Sequence, residues 1–342
     1  LRQLRRRSLA ALRKEVEPVE APALGRFAPE WQAATVPRHG PTALVDAPRL
    51  AARLGVDVFL AGERCQQTGS FKFRAAASVA ANVPNGTLIA ASSGNFGQAL
   101  ARAAQLAGKR AIIVMPSTSA KVKVEAVRQF GGEVVFVDTK RETRAAKVAE
   151  VFALHPDAYL GSAYDDPLVI SGNASLAHEL AAIARAGRPF DAVVVPLGGG
   201  GLTAGMVQGL QESGYQAAVW GAEPLLANDA AQSLRAGHIV KSATEAATIA
   251  DGARTLSLGV HNWAILEHGL AGIVEVAEPE IREAVRLLSA LANVKAEPTG
   301  ALTTGAVLTA PERFRDQRVC CVVSGGNVDP QVYLDILSGA PS

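Results

Sequence analysis

The sequence predicts an α/β fold of parallel sheets flanked by helices, and three observations carry that reading. Short β-branched, apolar runs recur along the chain, helical stretches separate them, and the alternation holds from about Asp57 onward. The runs include Thr87–Ala91, Ala111–Met115, Val134–Val137, Ala192–Val195, Ala217–Gly221 and Val319–Val323. They are continuously apolar and mostly bounded by glycine or proline, as strands buried on both faces are. Gln98–Ala107, Lys121–Phe130 and Ile281–Ala292 are rich in alanine, leucine and charge, and read as crossover helices between parallel strands. There is no internal repeat and no low-complexity linker.

At 342 residues the chain can bury one large core or two closely joined ones. A net charge of +2 gives no reason to expect a nucleic-acid partner. Leu1 to Lys14 carries Arg2, Arg5, Arg6, Arg7 and Arg13 with no acid; it reads as a surface helix or frayed arm, with an organelle transit peptide as the other reading. No apolar run approaches the ~18 residues of a membrane span, and no secretory signal is visible. The three cysteines, Cys65, Cys320 and Cys321, are odd in number and lack metal-ligand spacing, which points to a reducing compartment, the cytoplasm. The six histidines form no HExxH-type cluster, so a histidine-rich catalytic zinc site is not expected.

The strongest local signal is Gly198-Gly199-Gly200-Gly201, set between the apolar run Val193–Leu197 and the helical stretch Leu202–Gln211. Four glycines at a strand-to-helix turn let several backbone N–H groups converge on one anion beside a helix N-terminus, so this reads as a phosphate site, with a tight turn of purely packing role as the competing reading. No GKS or GKT follows, which excludes a Walker loop. Gly199, Gly201 and Ala204 also fit GxGxxA, with Glu223 ending the next strand, so a NAD-binding Rossmann unit is the alternative reading of this segment alone.

A second segment decides between them. In Gln67-Thr68-Gly69-Ser70-Phe71-Lys72 a lysine follows small and hydroxyl-bearing residues and opens the helical stretch Phe71–Ala81. Desolvation beside a charged cofactor can lower such an amine toward neutrality and make it a nucleophile.

With these residues in view, the chain resembles the fold-type II pyridoxal-phosphate enzymes of the serine/threonine dehydratase and serine racemase group, from about Pro41 to Leu337. Four motifs occur in that group's order: Thr68–Lys72, Ser92-Ser93-Gly94-Asn95-Phe96-Gly97-Gln98-Ala99-Leu100, Gly198–Gly201, and Ser324-Gly325-Gly326-Asn327. The resemblance implies two open, twisted, mostly parallel sheets flanked by helices, with pyridoxal 5'-phosphate in an interdomain cleft, held as a Schiff base on Lys72 and flanked by Phe71. Gly198 to Gly201 and Leu202 would take the phosphate, Asn95 the 3'-oxygen and Ser324 the pyridine nitrogen. Ser92, Ser93, Gly94, Asn95, Phe96 and Gln98 would meet the substrate. Lys72 would act as base on one face, and Ser93 would face the other. Arg144 aligns with an arginine that pairs with the substrate carboxylate in racemases, and a solvated helix charge weighs equally. A neutral serine at the ring nitrogen makes a weaker electron sink than a carboxylate, which suits expulsion of a β-leaving group.

Glu223, the carbonyl of Ala227 and Asp229 reproduce the group's pattern for Mg2+ or a similar divalent cation; two carboxylates and a carbonyl suit a hard cation, and an ordinary acidic turn is the competing reading. Three departures stand out: Phe96 where the group usually has histidine, Ala75 where it has glycine, and Gly172-Asn173-Ala174-Ser175 where it commonly has Gly-Gln-Gly-Thr. Phe96 leaves room for a β-substituent bulkier than serine's, such as an aryl group.

The expected division is a large cofactor-binding domain from 1–82 and 161–342 and a small substrate-loop domain from 83–160. The expected reaction converts a β-hydroxy-α-amino acid to a 2-oxo acid and ammonia. Racemisation on the same site is the alternative, β-replacement comes third, and a catalytically retired binding protein is the reading from another class. A homodimer is expected from the resemblance. With no long segment after the last apolar run, a regulatory domain of the biosynthetic threonine deaminase kind is not expected.

Overall fold

The computed structural model describes residues 38–339 apart from 93 and 120. The basic stretch Leu1–Lys14 and the Ser93 assignment therefore lie outside the described residues. In chain order the elements are β1 (Ala43–Asp46), α1 (Pro48–Leu54), β2 (Asp57–Gly62), α2 (Lys72–Asn82), β3 (Thr87–Ala91), α3 (Asn95–Leu106), β4 (Arg110–Pro116), α4 (Lys121–Gln129), β5 (Glu133–Val137), α5 (Arg144–Leu154), β6 (Tyr159–Leu160) and α6 (Pro167–Arg185). There follow β7 (Ala192–Pro196), α7 (Gly201–Glu212), β8 (Ala218–Pro224), α8 (Asp229–Ala236), α9 (Val260–Gly269), β9 (Gly272–Val276), α10 (Glu278–Ala292), α11 (Pro298–Thr309), β10 (Arg318–Val323) and α12 (Pro330–Ser338).

The strands form two sheets. A six-stranded sheet runs β1-β2-β10-β7-β8-β9, and a four-stranded sheet runs β5-β4-β3-β6. Every pairing is parallel except β1 with β2, where Ala43 faces Gly62. Alternate residues of the larger sheet feed two cores. Val58, Leu60, Val194, Val319 and Cys321 pack toward α1, α10 and α11, while Phe59, Ala61, Val193, Val195, Cys320 and Val322 pack toward α6 and α7. The smaller sheet repeats the arrangement: Leu88, Ala90 and Ile113 meet α2 and α3, and Ile89, Ile112 and Val114 meet α5. Burial on both faces is why these strands are continuously apolar in sequence.

Three local devices fix the helices that carry the site. α2 is anchored by Arg74, buried and paired with Glu63 at 2.6 Å and Glu179 at 2.9 Å, a pairing that a fully desolvated charge requires. α6 begins at Pro167, and its Asp166 side chain caps the Leu168 N–H. α6 also approaches α2 closely at Gly172, where a Cβ would lie 2.6 Å from the Arg74 carbonyl oxygen.

Candidate active site

The lysine segment and the Ser324 segment, 252 positions apart from Lys72 to Ser324 (324 − 72), lie against one another. Ser70 and Gly325 form an antiparallel bridge, Phe71 N donates to the Ser324 carbonyl at 2.9 Å, and Gly326 N donates to the Gly69 carbonyl at 3.0 Å. Gly69 has φ +73°, and a Cβ there would lie 2.3 Å from the Asn327 side chain, so both its backbone angle and its contact need glycine. This zipper sets Lys72 at the first turn of α2. Its Nζ donates to the carbonyl oxygen of Ala163 at 2.6 Å and lies 4.9 Å from the Phe71 ring centroid and 5.8 Å from that of Phe96. Burial pushes the Lys72 ammonium down to about 8, against the opposing pull of Glu297.

Asn95 opens α3 and is held on two sides. Its Nδ2 donates to Glu297 at 2.9 Å, and its Oδ1 accepts from Asn327 Nδ2 at 2.8 Å and from Gln98 at 3.3 Å. The Ser92 hydroxyl accepts from the N–H groups of Gly94 and Gly97, which folds the loop back onto its helix. Phe96 is closed off from solvent in the core of the smaller sheet, so it backs the Lys72 amine with an apolar wall.

The glycine loop sits under Tyr164. A Cβ on Gly199 would lie 2.4 Å from the Tyr164 ring, one on Gly198 2.9 Å from Ala253 Cα, and one on Gly201 2.6 Å from the Tyr164 carbonyl; Gly200 has φ +96°. No other residue type fits these four positions, and α7 starts immediately behind them with Leu202 buried in its first turn. Asn173 secures the turn by donating to the Gly201 carbonyl at 3.0 Å, which gives the unusual Gly172–Ser175 run a role. Ala163 and Tyr164 are consecutive, so one stretch of backbone touches both the lysine and the glycine loop.

The Ser324 hydroxyl is buried and has no hydrogen-bond partner among the described residues, and neither do the hydroxyls of Thr68 and Ser70. A buried hydroxyl without a partner is costly unless something occupies it. An orphaned Ser324, a loop that tolerates only glycine, and an amine lowered toward neutrality together fit a phosphorylated aromatic aldehyde such as pyridoxal phosphate.

The remaining predicted residues lie elsewhere. Arg144, at the start of α5, pairs with Glu245. Among the described residues no cluster of three histidine, cysteine or acidic side chains is placed to hold a metal. The Glu223 carboxylate accepts the N–H groups of Ala230 and Ala231 at 2.8 Å each, so it anchors the start of α8. Burial still drives Glu223 well above the usual carboxylate range and Asp229 to about 6, and the buried Asp229 Oδ2 has no partner among the described residues.

Glu297 is the residue the sequence concealed. It precedes Pro298 at the start of α11 and reads as a capping acid, yet its side chain makes no cap and turns to Asn95. Burial first, then the Asp251 carboxylate, push it up to about 8; Asn95, Lys123 and Asn327 pull the other way. No sequence signal separates it from an ordinary N-cap.

A family profile described as "Pyridoxal-phosphate dependent enzyme" matches residues 36–325. The chain belongs to the pyridoxal-phosphate dependent enzymes, within their fold-type II branch of serine/threonine dehydratases and serine racemases. It is 37% identical over 294 residues to an L-threo-3-hydroxyaspartate ammonia-lyase of a Pseudomonas species, covering 85% of this chain and 91% of that protein. It is 34% identical over 286 residues to a serine racemase of Schizosaccharomyces pombe, covering 82% and 87%. The crystal structure of a threonine deaminase from T.th. superposes with a TM-score of 0.81 at 38% identity, covering 88% of this chain and 98% of that one. The NAD-binding reading of Gly199, Gly201 and Ala204 is thereby set aside: the glycine loop belongs to a pyridoxal-phosphate fold.

Proposed function

We propose that the protein is an ammonia-lyase that converts a β-hydroxy-α-amino acid to a 2-oxo acid and ammonia, with Lys72 as its cofactor-bearing residue and base. The observation that carries this is the Lys72 amine, lowered to about 8, held 2.6 Å from the Ala163 carbonyl and near the rings of Phe71 and Phe96. Pyridoxal phosphate, when bound, supplies the electron sink that makes the substrate α-proton acidic. The protein's own groups do the rest. Gly198 to Gly201 and the N–H of Leu202 would hold the phosphate at the start of α7. Ser324 would offer the ring nitrogen a neutral hydroxyl, and Asn95 would hold the ring oxygen. Ser92, Gly94 and Gln98 line the substrate's carboxylate side. Lys72 Nζ, once free, takes the α-proton on its own face, and its depressed basicity suits work near neutral pH. Departure of the β-hydroxyl with a proton leaves an enamine, and hydrolysis of that enamine in water returns the 2-oxo acid and ammonia.

Both hydroxyaspartate ammonia-lyase and threonine deaminase are names borne by close relatives, which supports elimination and leaves the β-substituent to be found. Phe96 lies in the buried core of the smaller sheet, so it argues neither for nor against the bulky or aryl β-substituent. Relatives named serine racemase support a second activity on the same site, for which Ser93 would supply the proton on the face opposite Lys72. Residues 83–160 would close over bound substrate and exclude water. A divalent cation such as Mg2+ would bind Glu223, Asp229 and the Ala227 carbonyl, a reading that the orphaned Asp229 oxygen supports. A homodimer follows from the resemblance. A cytoplasmic setting suits three free thiols, and no described helix is long and apolar enough to cross a membrane.

The test is a panel of serine, threonine, 3-hydroxyaspartate and 3-phenylserine in both configurations, scored for ammonia, oxo acid and enantiomer. Equal amounts of ammonia and oxo acid from at least one member are expected. Inversion without ammonia would replace the lyase by a racemase, and Ser93→Ala would then abolish it.

A further inference from the structure

Two ion pairs cross from the four-stranded layer to the six-stranded one. Lys123 of α4 reaches Asp251 at 2.9 Å, and Arg144 of α5 reaches Glu245. Both acids lie in the 237–259 stretch that joins α8 to α9, Asp251 at the start of a short 3-10 turn, Asp251–Ala253. The Arg144 pair borders a recess of about 450 Å3 lined by Pro116, Thr118, Ser119 and Thr139, so it spans open space. Half-exposed pairs of this kind add little stability and are screened by salt; their value lies in position.

That position is next to the chemistry. Ala253 packs on Gly198 of the glycine loop, Gly259 N donates to the Gly199 carbonyl at 3.1 Å, and Gly252 N donates to Thr299 Oγ1 at 3.0 Å. Thr299 is two residues past Glu297. The charged groups that face Glu297 are Lys72 of α2, Lys123 of α4 and Asp251; Asn95 of α3 and Asn327 face it as neutral donors.

We propose that Lys123 and Asp251 form a positioning pair: drawn together across the cleft, they fasten the four-stranded layer over the site and mask the charge that Asp251 would otherwise present to Glu297. This rests on Lys72 being the reacting residue, and on no particular substrate. It has a consequence that a purely structural contact lacks. Lys123→Met leaves the Asp251 charge unopposed and raises the proton affinity of Glu297. Asp251→Asn leaves the Lys123 charge unopposed and lowers it. In the holoenzyme Lys72 carries the cofactor, so Glu297 is the group that titrates.

The experiment is a pH titration of the holoenzyme, read as the absorbance of the bound cofactor and, where a substrate is known, as kcat/KM. Hydrogen exchange of residues 241–256 is measured alongside. The ionisation near pH 8 should move to higher pH in Lys123→Met and to lower pH in Asp251→Asn, by about half a unit each, a roughly threefold change in proton affinity. Both variants should exchange faster over 241–256, and the swap Lys123→Asp with Asp251→Lys should restore slow exchange and the wild-type KM. Shifts of the same sign, or none, overturn the proposal, as does unchanged exchange. Wild-type protein that turns over no amino acid would defeat the proposed function and leave the absorbance and exchange readings to decide this pair.

Discussion

Lys72 Nζ sits 2.6 Å from the carbonyl oxygen of Ala163, and the next residue, Tyr164, lies across the glycine loop. One short stretch of backbone thus holds the amine in place and shapes the anion site. Burial brings that amine down to about 8. In cofactor-free protein the rate of pyridoxal phosphate uptake should therefore rise with pH and level off near 8, because only the neutral amine attacks. A rate still climbing toward pH 10 would mean an ordinary, solvated lysine. Lys72→Ala should cost at least ~1,000-fold in turnover, since nucleophile and base are lost together.

Ser324 gives a prediction with opposite signs in two states. Its buried hydroxyl has no partner among the described residues, so Ser324→Ala removes nothing the cofactor-free protein uses. The melting temperature of that form should stay level or rise. Affinity for the cofactor should fall about tenfold, the worth of one hydrogen bond, as measured by equilibrium dialysis. A loss of stability without cofactor would show that Ser324 already has a partner.

The lysine segment and the glycine loop were legible in sequence because each needs a residue type that few others replace: glycines under Tyr164 and beside Asn327, and a lysine at a helix start. The six apolar runs named from sequence all fall on strands, five of them because burial on both faces leaves a continuous apolar signature; Val134–Val137 is apolar although it lies on a partly exposed edge strand. Strand β1 was not legible. It is an antiparallel edge of partly buried residues, and Ala43–Asp46 has no distinguishing pattern. Strand β9 was missed as well, with Gly272 and Glu275 interrupting its apolar run. Glu297, Lys123 and Asp251 were hidden for another reason. Their roles arise only when segments more than a hundred residues apart are brought together, and singly they look like a cap and two surface charges.

Gly199→Ala tests the cradle. Its Cβ would lie 2.4 Å from the Tyr164 ring, so the ring must move or the loop must. Overpacking of this kind costs about 1–3 kcal/mol, and cofactor retention on gel filtration should drop as well. Gly86→Ala, where nothing lies within 4 Å, is the control and should stay within about 0.5 kcal/mol of wild type by chemical denaturation. Equal behaviour of the two variants would deny the loop its tight fit.

Asp229 carries the pH dependence of the cation reading. Its carboxyl is raised from 3.8 to about 6 in the folded protein, so without metal it favours folding below its unfolded value, and that contribution is lost as pH rises through 6. A divalent cation binds the ionised form, so the gain in melting temperature from Mg2+ should grow across pH 6. The underlying stabilisation should reach about 2.7 kcal/mol at a hundredfold excess over Kd. Asp229→Asn should remove the gain and leave metal-free stability at neutral pH equal or higher. No Mg2+-dependent shift at any pH would leave Glu223 and Asp229 as the acidic start of α8.

The attachment of the cofactor is tested most directly by borohydride reduction of the holoprotein followed by peptide mapping. The predicted result is one reduced pyridoxyl phosphate per chain, on the peptide containing Thr68 to Lys72, with the added mass on Lys72 and none in Lys72→Ala. Label on any other lysine, or none at all, would contradict it.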